Sequence, residues 1–226
     1  MGQRKETMEI KYTNQTSNSV VSLLVYGQAG AGKTSLAKTL AKPPLVLSAE
    51  SGLLSLRDNE IPYIEIRTIQ DLRDAIGVIK QSDFKTVFLD SLTEIGQKIT
   101  EELSLKYPEK KDSFSMWGEY NTTIRAIIKT LRDMKINVVM TALIKDDKDE
   151  VGRKFIGPDL QGKVASQLPA FFDEVFYYTQ VEIDGDNKRI LLTEPTDQIV
   201  AKDRSGKLNR IEKPDLQAIF NKIKGN

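Results

Sequence analysis

Residues Gly27, Gln28, Ala29, Gly30, Ala31, Gly32, Lys33 and Thr34 spell G-x-x-x-x-G-K-[ST], with Ser35 next in line. These residue types at this spacing cradle the phosphates of a nucleoside triphosphate. Glycines let the backbone turn its N–H groups inward around phosphate oxygens, and a helix starting at the end of the loop adds positive potential. Lys33 is placed to reach the β- and γ-phosphates, and the Thr34 hydroxyl to bind Mg2+. The apolar run Val20–Tyr26 leads straight into the loop, supplying the buried strand such a cradle requires. ATP with Mg2+ is the expected ligand.

Two carboxylates fall where the same chemistry needs them. Asp90 closes the run Lys85–Leu89, the place of a strand-end acid that helps hold Mg2+. The same stretch, Asp90 to Glu94, also fits a helix N-cap. Glu50 ends Val46–Ala49; neighbouring parallel strands send their carboxyl ends to one edge, so Glu50 is expected to face the γ-phosphate. There a carboxylate can orient and deprotonate the attacking water; the alternative is a solvated loop glutamate. Farther along, Lys202 and Arg204 sit in Ala201–Gly206. They form either a charged surface turn or a pair of cations that reach a neighbouring subunit's γ-phosphate, an effect worth ~10³–10⁵ in rate.

Composition excludes other chemistries. The 226 residues contain no Cys and no His, so disulfides, thiolate or imidazole metal sites and Cys or His catalysis are out. With 33 Lys+Arg against 32 Asp+Glu the formal charge is +1, so any nucleic-acid surface must be local rather than a whole-protein field. No apolar run reaches membrane-spanning length, and the opening residues lack the apolar segment of a signal peptide. A reducing cytoplasm is the expected location.

The elements that must position these groups alternate between strand and helix. A polar arm over 1–19 is expected, with a short strand at Met8–Tyr12, and one domain over 20–226. After the cradle come a helix over Ser35–Ala41, stopped by Pro43 and Pro44, and strands at Leu45–Leu47 and Ile61–Ile66. Ile69, Leu72, Ile76 and Ile79 recur at helical spacing. The strand ending at Asp90 precedes helices over 92–105 and 116–134, which are separated by a polar loop at 106–115. Another buried strand over 137–144 leads to a charged loop, 145–159, of a length usually kept for function. A helix over 162–172, a hairpin of Glu174–Ile183 with Lys188–Pro195, and a C-terminal helix around Leu216–Ile223 complete the chain. The fold class is α/β: a mostly parallel sheet flanked by helices with an antiparallel edge hairpin. Trp117 reads as a core residue.

Taken together, the cradle, Ser48-Ala49-Glu50, Phe88-Leu89-Asp90-Ser91 and the late Lys202-Asp203-Arg204-Ser205-Gly206 resemble the RecA-like P-loop ATPases. The likeness, over roughly residues 20–210, is to the compact phage-encoded RecA-like proteins of the single-strand annealing (Sak) group, also classed as AAA-type domains. Segment 201–206 is similar to the Lys-Asn-Arg-Phe-Gly motif of RadA-type proteins, whose cations act across a subunit interface. The resemblance implies an ATPase that forms a ring or filament on single-stranded DNA in phage recombination, with a single-strand binding protein as a further partner. It also implies two DNA-binding loops, here 106–117 and 145–163. Their cations include Lys106, Lys110, Lys111, Arg153, Lys154 and Lys163, and Tyr107, Phe114 and Phe155 offer faces for stacking. Acidic residues interrupt both loops. Where RecA proteins carry an amide that senses the γ-phosphate, this chain offers only Thr141. A small-metabolite kinase and a nucleotide-gated helicase loader are the rival classes.

Overall fold

The computed structural model describes residues 20–50, 52–148, 152, 154–183 and 185–225. The expected arm over 1–19, its strand at Met8–Tyr12, and Arg153 lie outside the described residues. The remainder is built on β1 (Ser22–Gly27), whose six residues are all buried. Its alternate side chains serve two cores: Leu24 and Tyr26 face one, Leu23 and Val25 the other. Only a strand covered on both faces needs an unbroken apolar run, which is why this segment reads as one.

Parallel partners flank β1 on both sides: β5 (Asn137–Ala142) and β8 (Glu174–Ile183). Beyond β5 come β4 (Thr86–Asp90), β2 (Leu45–Ser48) and the edge strand β3 (Tyr63–Glu65), all parallel. Beyond β8 the sheet turns antiparallel with β9 (Asp186–Leu192), β11 (Ile211–Glu212) and the short β10 (Lys202–Asp203), which pairs with β8. The order is β11-β9-β8-β1-β5-β4-β2-β3, so the cradle strand and the Asp90 strand are separated by β5. The expectation of a mostly parallel sheet with an antiparallel edge is met.

Helices α1 (Ile69–Lys80), α2 (Leu92–Lys106) and α3 (Ser113–Arg132) cover one face. The cradle helix and α5 (Leu216–Lys224) cover the other through Leu36, Ala37, Leu216, Ile219 and Phe220. α1 starts with a capping box in which Thr68 and Asp71 satisfy each other's amides.

Several local expectations are corrected. The cradle helix is a 3-10 helix over Thr34–Thr39 rather than Ser35–Ala41. The Thr39 hydroxyl turns back to the Leu36 carbonyl at 2.7 Å and accepts the Leu216 amide at 2.9 Å, and Leu40 is already extended. α3 begins at Ser113, so the polar loop before it shrinks to a short link and a 3-10 turn at Lys110–Asp112. The charged loop at 145–159 is a hairpin of β6 (Ile144–Lys148) and β7 (Lys154–Pro158). Its fixed point is Ile156, whose amide donates to the Gln198 carbonyl at 2.6 Å and whose carbonyl accepts from Val200 at 3.1 Å. In place of one helix over 162–172 there are a single turn, α4 (Val164–Gln167), and a 3-10 turn at Leu168–Phe171. Pro169 has no N–H with which to extend an α-helical ladder. Trp117 is half-buried, edge-on to Tyr120 with ring centroids 5.6 Å apart.

Candidate nucleotide site

The cradle leaves β1 at the carboxyl edge of the sheet, between β5 and β8. Three of its glycines are required by geometry. A Cβ at Gly27 would fall 2.4 Å from the Tyr178 carbonyl oxygen, and Gly30 and Gly32 have φ of +73° and +103°, left-handed backbone that side chains disfavour. Lys33 is 7% exposed, and its Nζ donates to the Gly27 and Gln28 carbonyls, both at 2.9 Å. Burial pulls the ammonium below its ordinary pKa, while Glu50 and Asp90 oppose the fall.

Asp90 is 2% exposed at the end of β4. The Thr34 hydroxyl donates to its Oδ2 at 2.6 Å, and the Thr141 hydroxyl donates to its Oδ1. The N-cap of α2 is Ser91, not Asp90. That leaves the Asp90 carboxylate directed at the cradle. Thr141 is fully buried behind Asp90, so it orients the carboxylate rather than meeting the cleft, a correction to its expected place among the nucleotide contacts.

Glu50 arrives from the neighbouring strand. The Ala49 and Glu50 amides both donate to the Asp90 carbonyl, at 2.7 and 3.2 Å, which extends the β2–β4 pairing past the last strand residue. The Ser48 hydroxyl holds the Glu50 carbonyl at 2.6 Å, and Ser91 Oγ donates to Glu50 Oε1 at 2.5 Å. The Asp90–Ser91 peptide is cis.

These groups line one cleft of about 690 Å³. From the cradle it takes Ala29, Gly30, Gly32, Lys33, Thr34 and Ser35, and from the facing strands Glu50 and Asp90. Gly27 packs against Tyr178 instead, while Gln28 and Ala31 border a smaller cavity on the β8 side. Lining residues that sequence reasoning missed are Ser55, Glu94, Lys98, Leu143 and Arg189. Glu94 and Lys98 lie four apart on α2, a spacing visible in the sequence once the helix is placed. Arg189 carries no sequence signal, because only the β8–β9 register brings it here.

The residues fit Mg2+ and a triphosphate. Thr34 and Asp90 present hard oxygens side by side, and among the described residues no cluster of three or more metal-binding carboxylates exists. Mg2+ is characteristically held in that way, by one or two side chains plus phosphates and water.

Lys202 and Arg204 are not brought to this cleft. β10 pairs with the start of β8, Lys202 opposite Val175 and Asp203 opposite Glu174, at the sheet edge away from the cradle. Lys202 Nζ donates to the Phe172 and Pro169 carbonyls at 2.6 and 3.1 Å, and burial followed by Arg204 lowers its pKa. Arg204 pairs with Asp173 at 2.7 Å and remains largely exposed.

The two expected DNA loops border the α2–α3 side. Lys106 is paired with Glu119 at 2.7 Å and Lys111 with Glu109 at 2.8 Å. Lys110 lies in the 3-10 turn, Lys154 opens β7, and Lys163 is exposed just before α4. The base of the β6–β7 hairpin is tied to the cleft: Thr93 on α2 donates to the Asp159 carbonyl and accepts the Leu143 amide, both at 2.9 Å. Among the described residues no helix is long and apolar enough to cross a membrane.

Residues 19–205 match AAA_24, an AAA domain. Among solved structures, a KaiC-like protein of the hyperthermophilic archaeon Pyrococcus horikoshii OT3 is similar at 16% identity over 76% of this chain and 77% of its own, with a TM-score of 0.43. No curated protein matches the chain. The matched span contains the cradle, Glu50, Asp90 and the late cations, and the chain belongs to the AAA_24 family of AAA domains, as a P-loop NTPase.

Proposed function

We propose that this protein hydrolyses ATP and uses the reaction to assemble on single-stranded DNA, where it promotes annealing or strand exchange in phage or prophage recombination. The observation that carries the hydrolytic part is the Glu50 carboxylate, held by Ser91 in the same cleft as Lys33, Thr34 and Asp90. Lys33 exchanges its two carbonyl partners for β- and γ-phosphate oxygens. Glu50 orients a water toward the γ-phosphorus and takes its proton as the P–O bond to ADP breaks. Thr34 and Asp90 would hold Mg2+, which would supply charge neutralisation to the phosphates when bound. Because Lys202 and Arg204 lie at the far edge of the sheet, their assignment as catalytic cations requires a second copy in a ring or filament.

The DNA part is supported by the β6–β7 hairpin, whose base is held by Thr93 and adjoins Leu143 of the cleft wall. Nucleotide state can thus reach a segment that carries Lys154, Phe155 and Lys163. One observation favours the rival reading of a nucleotide-gated loader. Lys106 and Lys111 are already paired with acids, while Phe114 and Leu105 nearby are 92% and 86% exposed. That surface suits a protein partner better than a phosphate backbone.

ATPase rate measured with and without single-stranded DNA tests the choice. DNA should raise the rate, with a stimulation that weakens as salt increases. A rate indifferent to DNA at low salt overturns the DNA-acting reading in favour of the loader.

A further inference from the structure

Arg189 stands over the cradle from an element that looks, in sequence, like a plain edge hairpin. In the β8–β9 register it lies opposite Gln180, two residues beyond Tyr178. A Cβ at Gly32 would lie 3.2 Å from Arg189 Nη1 and 3.3 Å from Tyr178 Oη. The guanidinium and the phenol therefore both press on the last glycine of the loop. Tyr178 is 4% exposed with its hydroxyl beside Gly32, and the exposed Arg189 side chain lines the cleft next to it. Among the described residues no carboxylate pairs with Arg189. A forked donor without an acidic partner, beside inward-turned amides, matches phosphate oxygens.

Charge points the same way. The carboxylates lining the cleft are Glu50, Asp90 and Glu94, and the cations are Lys33, Lys98 and Arg189. Without Arg189 the cleft is net negative before a polyanion enters, and Coulomb repulsion acts against binding.

Position decides which phosphates. β8 and β9 lie on one side of β1, while β4 and β2, which carry Asp90 and Glu50, lie on the other. The transferred phosphoryl belongs on the Glu50 side. We propose that Arg189 is a nucleotide-binding residue acting in cis, gripping the α- and β-phosphates that ATP and ADP share. The proposal rests on the nucleotide-site reading above. Because its contact is the same before and after hydrolysis, it contributes uniform binding, not transition-state stabilisation.

Equilibrium binding of MgADP and of a non-hydrolysable Mg-triphosphate to the wild type, Arg189→Ala, Arg189→Lys and Tyr178→Phe provides the test. Arg189→Ala should weaken both nucleotides equally, by about tenfold or more. Arg189→Lys should lose less, and Tyr178→Phe should show a smaller loss, again equal for the two. ADP affinity within twofold of wild type in Arg189→Ala, or a loss confined to the triphosphate, overturns the proposal while leaving the nucleotide site standing. A wild type that binds neither nucleotide overturns the site itself. Should Arg189→Ala fail to fold, Arg189→Gln, which keeps the stem but not the charge, carries the decision by the same ADP criterion.

Discussion

Hydroxyl groups set the geometry of the two carboxylates at the cleft. Thr34 and Thr141 hold Asp90 from two sides, and Ser91 holds Glu50 while also capping α2 by accepting the Glu94 amide at 3.4 Å. Roles divide accordingly: Asp90, nearly inaccessible, faces Thr34, and Glu50, half-buried, faces the space where water can enter. Glu50→Gln should keep nucleotide binding and slow hydrolysis by about 10²–10⁴-fold. Single-turnover hydrolysis beside equilibrium binding reads the split; a full hydrolysis rate would place the base elsewhere. Lys33→Ala is the control that loses binding. Cradle, Asp90 and Glu50 were legible in the sequence because each is a short local pattern ending a strand. The roles of Ser91 and Thr141, though both residues stand in the motifs, and Arg189 altogether were not, since a hydroxyl or guanidinium acquires its role only from the register that chooses its partner.

At the level of elements, the corner where β10 meets β8 crowds three carboxyl groups, Asp173, Glu174 and Asp203. Glu174 is 1% exposed, and burial, with Asp203 and Asp173 alongside, pushes its carboxyl up to about 8. Lys202 and Arg204 face the same corner, Arg204 engaged by Asp173 and Lys202 by carbonyls. Between the unfolded value of 4.5 and the folded value of about 8, the folded state holds the extra proton. Stability is therefore greatest below that window and falls as pH rises through it, by at most about 1.4 kcal/mol per pH unit. Thermal midpoints of the wild type should drop from pH 5 to pH 8 more steeply than those of Glu174→Gln; parallel curves would remove Glu174 from the account. The elements themselves were read well where a period was strong, as in α1 and β1. They were misread at β6–β7, where charged residues hide the alternation and the pairing depends on Ile156 docking against 198–200.

For the whole molecule, the decisive distance is between the cradle and the late cations. Lys202 lies opposite Val175, three residues or roughly 10 Å of strand from Tyr178. Lys202 is held by the Pro169 and Phe172 carbonyls and Arg204 by Asp173, so neither lines the cleft of its own chain. Mixing Lys33→Ala with Arg204→Ala subunits should restore activity that neither has alone, greatest near equal amounts. The Arg204–Asp173 pair is exposed and worth at most about 1 kcal/mol, so that variant should fold. No recovery at any ratio, with mixed assemblies confirmed by mass, would end the trans assignment. By itself the sequence determined the nucleotide chemistry, the α/β class and the absence of Cys and His chemistry, because these depend on composition and on contiguous residues. The tertiary structure alone decided which carboxylate is aimed by which hydroxyl, that the charged stretch is a hairpin, and that Arg189 shares the cleft with Lys33 while Lys202 and Arg204 do not. Such facts are set by strand order and register, and these join residues far apart in the chain through contacts that no local pattern encodes. The cradle was thus visible from the start, but the company it keeps was settled by the fold.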